Sequence, residues 1–200
     1  MRIGILAYGS LIANPGAEIG PQIRRVVPMP TPFKVEFARS SQSRDGAPTL
    51  VPVIKGGACV NALLLILDDS VSVEEAEDIL YRRETNQIGS GKPYPRDRNP
   101  KPGRVRIERA QNLAAAAPIL YTMIDANRED PTADMLADLA IESARRDAGM
   151  QGRDGITYLR DAKLAGISTP LMASYESAIL RELSVGSLCE AIEQLAEMRD

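Results

Sequence analysis

Apolar residues follow two different spacings along the chain: short runs up to residue 124, and helical spacing after residue 130. The run at residues 3–7 stops just before Gly9, which is typical of a buried strand that ends in a loop. Residues 33–39 alternate between apolar and polar side chains, as a half-buried strand does. Further strands are predicted at residues 23–27, 50–54, 58–67, 104–109 and 119–124. The run at residues 58–67 is apolar enough to be buried on both faces.

The strongest helix signal in the first half covers residues 72–84. Ser72 and Glu75 have the spacing of a capping box, in which each side chain satisfies a backbone N–H group of the first turn. Apolar residues then recur at helical intervals. Start and stop signals after residue 130 predict four more helices, at residues 130–149, 154–166, 169–183 and about 188–195.

The composition is that of an ordinary soluble protein, with 200 residues, 44% of them apolar and 26% charged. The net charge of −3 gives no general attraction to nucleic acid or to an anionic membrane. No apolar run approaches the roughly 20 residues that span a bilayer, and the N-terminal run is a poor signal peptide. These features predict a cytoplasmic protein. Cys59 and Cys189 lie in apolar segments, which favours buried free thiols over a disulfide or a metal site.

The chain contains no histidine. Ser-His-Asp and Cys-His catalysis are therefore excluded, and a typical zinc site is disfavoured. Any proton transfer must use a carboxylate, a lysine, a tyrosine or a cysteine.

Glu84 closes the predicted helix of residues 72–84, near the middle of its apolar face. At about 100° per residue, it projects within roughly 40° of Leu80. A carboxylate there is costly unless it is paired, neutral or functional, and the negative end of the helix dipole adds to that cost. Glu84 is therefore a candidate general acid or base. Glu77 lies near the same face, so position alone does not decide between them.

The turn after the first strand, at Tyr8, Gly9, Ser10 and Leu11, is a candidate binding loop. Glycine allows a sharp turn and a close approach of the backbone to a ligand, and successive N–H groups can then bind an anion or an oxyanion. A purely structural turn has the same pattern. Arg39 shares the predicted inner face of its strand with Phe37, so it is a candidate substrate contact; snorkelling or a structural ion pair is the alternative.

Residues 86–103 are rich in glycine and proline and cannot form a helix. Their length predicts a lid or a disordered loop. The basic excess of this loop could attract an anionic substrate or could simply be solvated; it comes from Lys92, Arg96, Arg98 and Lys101. The Gly89-Ser90-Gly91-Lys92 stretch is not a phosphate loop, because Pro93 follows the lysine where that motif needs serine or threonine.

The order of these motifs resembles that of the γ-glutamylcyclotransferase-like superfamily. The resemblance is carried by the Tyr8-Gly9-Ser10-Leu11 turn after the first strand and by Glu84 at the end of the segment Leu80-Tyr81-Arg82-Arg83-Glu84. Residues 48–52 before Gly56-Gly57 resemble the second strand pair, and residues 119–121 resemble a late strand with a substrate-side tyrosine. The match covers residues 1–125 best and the C-terminal helices loosely.

The resemblance implies an α+β fold, a compact mixed β-barrel with flanking helices, in one domain of residues 1–200. Residues 130–200 would form helices packed on the barrel or extending from it. It implies that the α-amine of a γ-glutamyl substrate attacks its own γ-carbonyl, which releases 5-oxoproline and an amine or amino acid. Glu84 would be the general acid/base, the Tyr8–Leu11 turn and Tyr121 would bind substrate, and neither metal nor cofactor would take part.

The leaving group stays open among amino acids, amines, glutathione and larger molecules. One alternative is the cyclisation or cleavage of a larger biosynthetic intermediate, free or carrier-bound, on the same scaffold. Another is a non-catalytic member that binds a small acid or a protein. The helical tail could cover the site, form a homodimer or hold a partner.

Overall fold

The computed structural model describes residues 2–97, 101–110 and 118–198. Contacts along the chain group it into two compact units. The first contains Met1–Thr31 and Asn61–Asp125, and the second contains Pro32–Val60 and Ala126–Asp200. Each unit is thus built from two separate stretches of chain. The expectation of one domain over residues 1–200 stays a prediction.

Strands and helices occupy nearly all the segments in which the sequence predicts them. The strands are β1 Gly4–Ala7, β2 Ile23–Pro30, β3 Val35–Ser41, β4 Ala47–Pro52, β5 Asn61–Leu67, β6 Arg106–Ala110 and β7 Ile119–Met123. The helices are α1 Ser10–Ala13, α2 Val73–Glu84, α3 Ala133–Ala144, α4 Asp147–Met150, α5 Gly155–Leu164, α6 Met172–Leu183 and α7 Leu188–Glu197. The α+β class is therefore confirmed.

The first unit contains a five-stranded mixed sheet in the order β2-β5-β1-β7-β6. The central strand β1 pairs antiparallel with β5 and parallel with β7. Its position explains why Ile5, Leu6 and Ala7 are all fully buried. Strands β2 and β6 form two open edges among the described residues, so the expected closure into a barrel is not confirmed.

Helix α2 packs its apolar face on the core of this sheet. The hydroxyl of Ser72 accepts a hydrogen bond from the N–H of Glu75 at 3.1 Å, which confirms the predicted helix start. Ile79 and Leu80 join the same buried cluster as Ile5 of β1. Because the helix is anchored in this way, the position of its last turn is fixed relative to the sheet.

The second unit combines the antiparallel hairpin β3–β4 with helices α3 to α7. The ring of Phe37 on β3 makes edge contacts with Tyr158 and Tyr175 on α5 and α6. The buried carboxylate of Glu36 accepts hydrogen bonds from the hydroxyl of Thr169 and the N–H of Leu171, just before α6. These contacts join the hairpin to the helices within this unit.

One helix of the second half differs from its prediction. The helix expected over residues 130–149 is divided into α3 and α4, and Arg146 between them has extended backbone. Near the break, the buried hydroxyl of Ser143 donates to the carbonyl of Ala140 and accepts from the N–H of Gly155. A serine hydroxyl that bonds to the backbone in this way is typical of helix ends and bends.

The prediction of buried thiols is wrong, because Cys59 and Cys189 are free and exposed. Cys59 precedes β5, so it lies before the buried part of that strand. Cys189 lies one position after Leu188 on α7, whose buried face contains Leu188, Ala191 and Leu195. At about 100° per residue, Cys189 projects away from that face.

Candidate active site

The predicted binding turn follows β1 and leads directly into the single-turn helix α1. Gly9 has a φ of 59°, in the left-handed region that glycine adopts without steric cost. Ser10 and Leu11 are the first two residues of α1, so they form helix and not an open loop. The first N–H groups of a helix have no partner within it, so those of Ser10 and Leu11 remain suited to bind an oxygen of a ligand.

Tyr8 links this turn to a second predicted element. Its phenol donates a hydrogen bond to the carbonyl of Thr122 on β7 at 2.7 Å. Tyr121 is the preceding residue on β7, and it is half-buried. Burial, and after it the charge of Glu108 on the neighbouring strand, raise the pKa of Tyr121 above its usual value. The phenol of Tyr121 therefore stays protonated at neutral pH, and its role toward a substrate stays a prediction.

Glu84 is the last residue of α2, and its side chain is 21% exposed. It is thus partly buried rather than enclosed in the core like Leu80. Its Oε1 atom accepts a hydrogen bond from Nη1 of Arg83 at 2.6 Å, in an ion pair between adjacent residues. The ion pair with Arg83 therefore offsets the free-energy cost of burying a carboxylate at this position.

Arg83 connects Glu84 to the Tyr8–Leu11 turn. Both terminal nitrogens of its guanidinium donate to Oγ of Ser10 at 3.2 Å. Its Nε and Nη2 atoms donate to the carbonyl of Asn14, just after α1, at 3.1 and 2.8 Å. The same Nη1 atom contacts both Ser10 Oγ and Glu84 Oε1. The two predicted elements of the site therefore meet at one guanidinium group.

The neighbouring Arg82 fixes two further segments at this end of α2. Its Nε donates to both carboxylate oxygens of Glu18, at 3.1 and 2.9 Å, and its Nη1 donates to the carbonyl of Lys92 at 3.0 Å. Its side chain is only 10% exposed. Two arginines at the end of α2 thus bind Asn14, Glu18 and Lys92.

Arg39 belongs to the second unit, and the predicted face of its side chain is wrong. Phe37 pairs with Leu50, but Arg39 pairs with Thr49, because a β-bulge shifts the register between them. Cross-strand partners share a face and successive residues of β4 alternate. Arg39 therefore lies on the opposite face from Phe37. Its proposed contact with substrate stays a prediction.

Glu77 is the carboxylate that the sequence placed near the same helix face as Glu84, and it is the more deeply buried of the two, at 4% side-chain exposure. Its Oε2 atom accepts from Nε of Arg96 at 3.0 Å. Its Oε1 atom accepts from Nε and Nη2 of Arg109, at 2.8 and 2.6 Å. Both oxygens are therefore occupied by arginines of the protein.

In the described part of the loop at residues 86–103, Tyr94 and Arg96 contact α2, whereas Lys92 and Lys101 are exposed. Arg96 pairs with Asp78 as well as with Glu77, and the N–H of Tyr94 donates to Asp78 at 2.9 Å. The ring of Tyr94 also packs against Tyr81. The charge of Arg96 is thus neutralised locally. Arg98 lies outside the described residues.

Sequence reasoning missed Arg83 as part of the site. The available signal was its position, one residue before the candidate carboxylate and in the last turn of the same helix. Side chains of adjacent helical residues point about 100° apart, so the pattern alone does not predict the Arg83–Glu84 contact.

No group of three or more Cys, Asp or Glu residues in the described part of the chain is arranged to hold a metal ion. None of the helices there is long and apolar enough to cross a membrane. No protein-family model matches the chain, and no curated protein matches it. The resemblance to γ-glutamylcyclotransferases therefore stays a prediction from the sequence motifs.

Proposed function

We propose that the protein is a γ-glutamyl cyclotransferase-like enzyme, of the acyl-transferring or lyase type, with Glu84 as its general acid/base. The substrate is a small molecule with a free α-amine and a γ-glutamyl amide. The α-amine nitrogen forms a bond to the γ-carbonyl carbon, and the C–N bond of the amide breaks. The products are 5-oxoproline and the released amine or amino acid.

The observation that carries the proposal is the shared contact at Arg83. Ser10 of the Tyr8–Leu11 turn and Glu84 at the end of α2 both bind its Nη1 atom, at 3.2 and 2.6 Å. The two elements are far apart in the sequence, yet they are close enough for one small molecule to contact both. A cyclisation needs this arrangement, since the nucleophile and the carbonyl belong to the same curled substrate.

The chemistry assigned to each group follows from the reaction. The α-ammonium of the substrate, with a pKa of about 8, must lose a proton before it attacks. Glu84 accepts that proton and returns it to the departing nitrogen, and the second proton, which the attacking nitrogen loses as the lactam forms, protonates the released amine. The N–H groups of Gly9, Ser10 and Leu11 stabilise the oxyanion of the tetrahedral intermediate. Tyr8 and Tyr121 border the bound glutamyl group in this proposal.

In this proposal the mixed sheet of the first unit corresponds to the mixed barrel of the superfamily. The enzyme acts in the cytoplasm without a metal or cofactor, and the C-terminal helices are available for a homodimer.

The ion pair between Arg83 and Glu84 favours a second candidate, a non-catalytic protein that binds a small acid. In that case the guanidinium is the binding group, and Glu84 occupies it until an acidic ligand displaces the carboxylate. Such a protein would bind glutamate or 5-oxoproline without converting any γ-glutamyl compound.

The two candidates are separated by incubating the protein with γ-glutamyl dipeptides, γ-glutamyl amines and glutathione, and measuring 5-oxoproline by mass spectrometry. For the enzyme we expect product from at least one class, and a loss of roughly 1,000-fold in kcat for Glu84→Gln, since general acid–base catalysis contributes about 10²–10⁴-fold.

The matched control is Glu75→Gln, which changes an exposed glutamate in the first turn of the same helix. This variant should retain the wild-type rate. The enzymatic proposal fails if none of the three substrate classes yields 5-oxoproline, or if Glu84→Gln is as active as the control.

A further inference from the structure

The guanidinium of Arg83 has all of its hydrogen-bond donors in use. Arginine carries five N–H donors in a fixed planar arrangement. Nε donates to Asn14, Nη1 donates to Ser10 and Glu84, and Nη2 donates to Ser10 and Asn14. Five donors thus make five contacts within the protein, and none remains for a substrate carboxylate.

The same contacts determine which hydrogen bonds the Ser10 hydroxyl can still form with a ligand. A hydroxyl has one O–H donor and two acceptor lone pairs. Two N–H groups of Arg83 point at Ser10 Oγ, which occupies both lone pairs. The Ser10 hydroxyl hydrogen has no acceptor among the residues that the structure describes. Ser10 can therefore only donate to a ligand, which requires an oxygen that accepts.

Glu84 is complementary to Ser10. Arg83 contacts only its Oε1 atom, and no described residue donates to Oε2. A carboxylate oxygen accepts hydrogen bonds and cannot donate while it is ionised. The site thus has one unused donor, on Ser10, and one unused acceptor, on Glu84, at either side of a single guanidinium.

We propose that Arg83 is the positioning residue of this site. It holds Glu84 with Oε2 free to take the proton of the substrate amine, and it holds Ser10 so that its hydroxyl donates to the oxyanion formed from the γ-carbonyl. The inference rests on the proposed function. It adds the role of Arg83 and the direction of the Ser10 hydrogen bond, and it selects ligands that combine an amine with a nearby carbonyl oxygen.

The side chain of Arg83 is itself held in place. It is 13% exposed, and its Cγ atom lies 3.2 Å from where a Cβ atom at Gly16 would be. Gly16 has a φ of 87°, so glycine suits both the backbone and the space there. The side chain is thus largely buried, and its guanidinium is held by five hydrogen bonds.

Steady-state kinetics of Arg83→Lys and Arg83→Gln test the inference. Lysine has three donors on one nitrogen and glutamine has two, so neither variant reproduces the planar arrangement that holds Asn14, Ser10 and Glu84 together. We expect kcat to fall by roughly 100-fold, as a small misplacement of catalytic groups does. KM should change by less than about threefold, because a saturated guanidinium contributes little to substrate affinity. Arg106→Lys, which alters a partly buried ion pair with Asp125, is the control with unchanged kinetics.

A large rise in KM with kcat retained would show that Arg83 binds substrate directly, and this outcome would overturn the inference. Unchanged kinetics in both Arg83 variants would also overturn it. Far-ultraviolet circular dichroism and thermal unfolding of each variant identify any loss of rate that comes from misfolding.

A second measurement does not depend on activity. In ¹⁵N spectra of arginine side chains, the signals lost in Arg83→Lys identify Arg83, and their hydrogens should exchange slowly with water. Ser10→Ala removes the oxygen that both terminal nitrogens contact, so this exchange should become roughly tenfold faster, the equivalent of about one hydrogen bond.

Failure of the proposed function and failure of the inference about Arg83 give different results. If the wild-type protein produces no 5-oxoproline, the proposed function is lost, and the exchange measurement alone decides the position of Arg83. Fast exchange in the wild-type protein, or exchange that Ser10→Ala leaves unchanged, contradicts the inference whatever the activity.

Discussion

Helix α2 carries two partly or fully buried glutamates one heptad apart, and the two differ in burial and in the number of their hydrogen-bond partners. Glu77, in the middle of the helix, has 4% side-chain exposure and an arginine on each of its two oxygens. Glu84, at the end of the helix, has 21% exposure and a single contact, from Arg83 to Oε1. Glu77 is the deeper of the two, yet Glu84 is the one with an atom left for a ligand.

The difference shows that burial alone does not identify a functional carboxylate. A buried charge needs partners, and a carboxylate whose two oxygens are both occupied joins pieces of structure. Glu77 joins α2 to Arg96 in the following loop and to Arg109 on β6. A carboxylate that is held by one oxygen is oriented while the other oxygen remains reactive. We therefore expect mutation of Glu77 to lower stability and mutation of Glu84 to lower activity.

The largest stability effect should come from Glu77→Gln. The amide cannot satisfy two arginines, and among the described residues the loss leaves Arg109 without a charged partner and Arg96 with Asp78 alone. We expect a loss of about 2 kcal/mol in unfolding free energy, below the usual 3–5 kcal/mol for a broken buried pair because both arginines reach solvent. Urea unfolding followed by circular dichroism measures this.

Glu84→Gln completes the comparison. We expect it to lower the unfolding free energy by less than about 1 kcal/mol, because the ion pair that it breaks is partly exposed. Glu75→Gln, on the exposed first turn, should be close to wild type. Equal losses in the Glu77 and Glu84 variants would mean that the two carboxylates do not divide structure and function between them.

A smaller effect, on amide hydrogen exchange in the loop after α2, should distinguish the two arginines that bind Glu77. Arg96 also donates to Asp78 and to the carbonyls of Glu74 and Tyr94, whereas Arg109 donates only to Glu77 in the described part of the chain. Arg96→Gln should therefore release the loop from α2. Amide hydrogen exchange at Tyr94, whose N–H is bonded to Asp78, should become roughly tenfold faster.

Arg109→Gln is the matched control, because it removes one partner of Glu77 and leaves the loop contacts of Arg96 in place. Its Tyr94 amide should exchange nearly as slowly as in the wild-type protein. If both variants accelerate exchange equally, the loop depends on the charge of Glu77 and not on the direct contacts of Arg96.

Local sequence signals predicted most of the elements, since helix starts and strands depend on neighbouring residues. Ser72 and Asp154, the predicted starts of two helices, each accept a hydrogen bond from the first turn of the helix that follows. The alternation of strand residues failed at the β-bulge after Phe37, where one extra residue reversed the face of Arg39. Nothing in the run of residues 33–39 signals that bulge.

The site was predicted in part for the same reason. The Gly9 turn and the position of Glu84 are local features, and both are present in the structure. Which carboxylate is fully paired depends on Arg96 and Arg109, which are 19 and 32 residues away from Glu77. Pairing across such distances is set by the packing of loop and sheet on α2, and a single sequence contains no signal for it.

The smallest expected effect concerns Tyr121, which lies opposite Glu108 beside the strand residue that holds Glu77. Burial, and then the charge of Glu108, raise the pKa of Tyr121 in the folded protein. The folded state therefore keeps the phenolic proton to a higher pH than the unfolded state. The stability that this provides is complete below pH 10 and is lost as the pH rises through the folded pKa. Tyr121→Phe has no phenol to ionise, so this loss is absent from the variant. Between pH 8 and pH 10.5 we therefore expect the unfolding free energy of the wild-type protein to fall relative to that of the variant. An unchanged difference would show that the phenol has the same surroundings in the folded and unfolded states, and that neither burial nor Glu108 affects its ionisation.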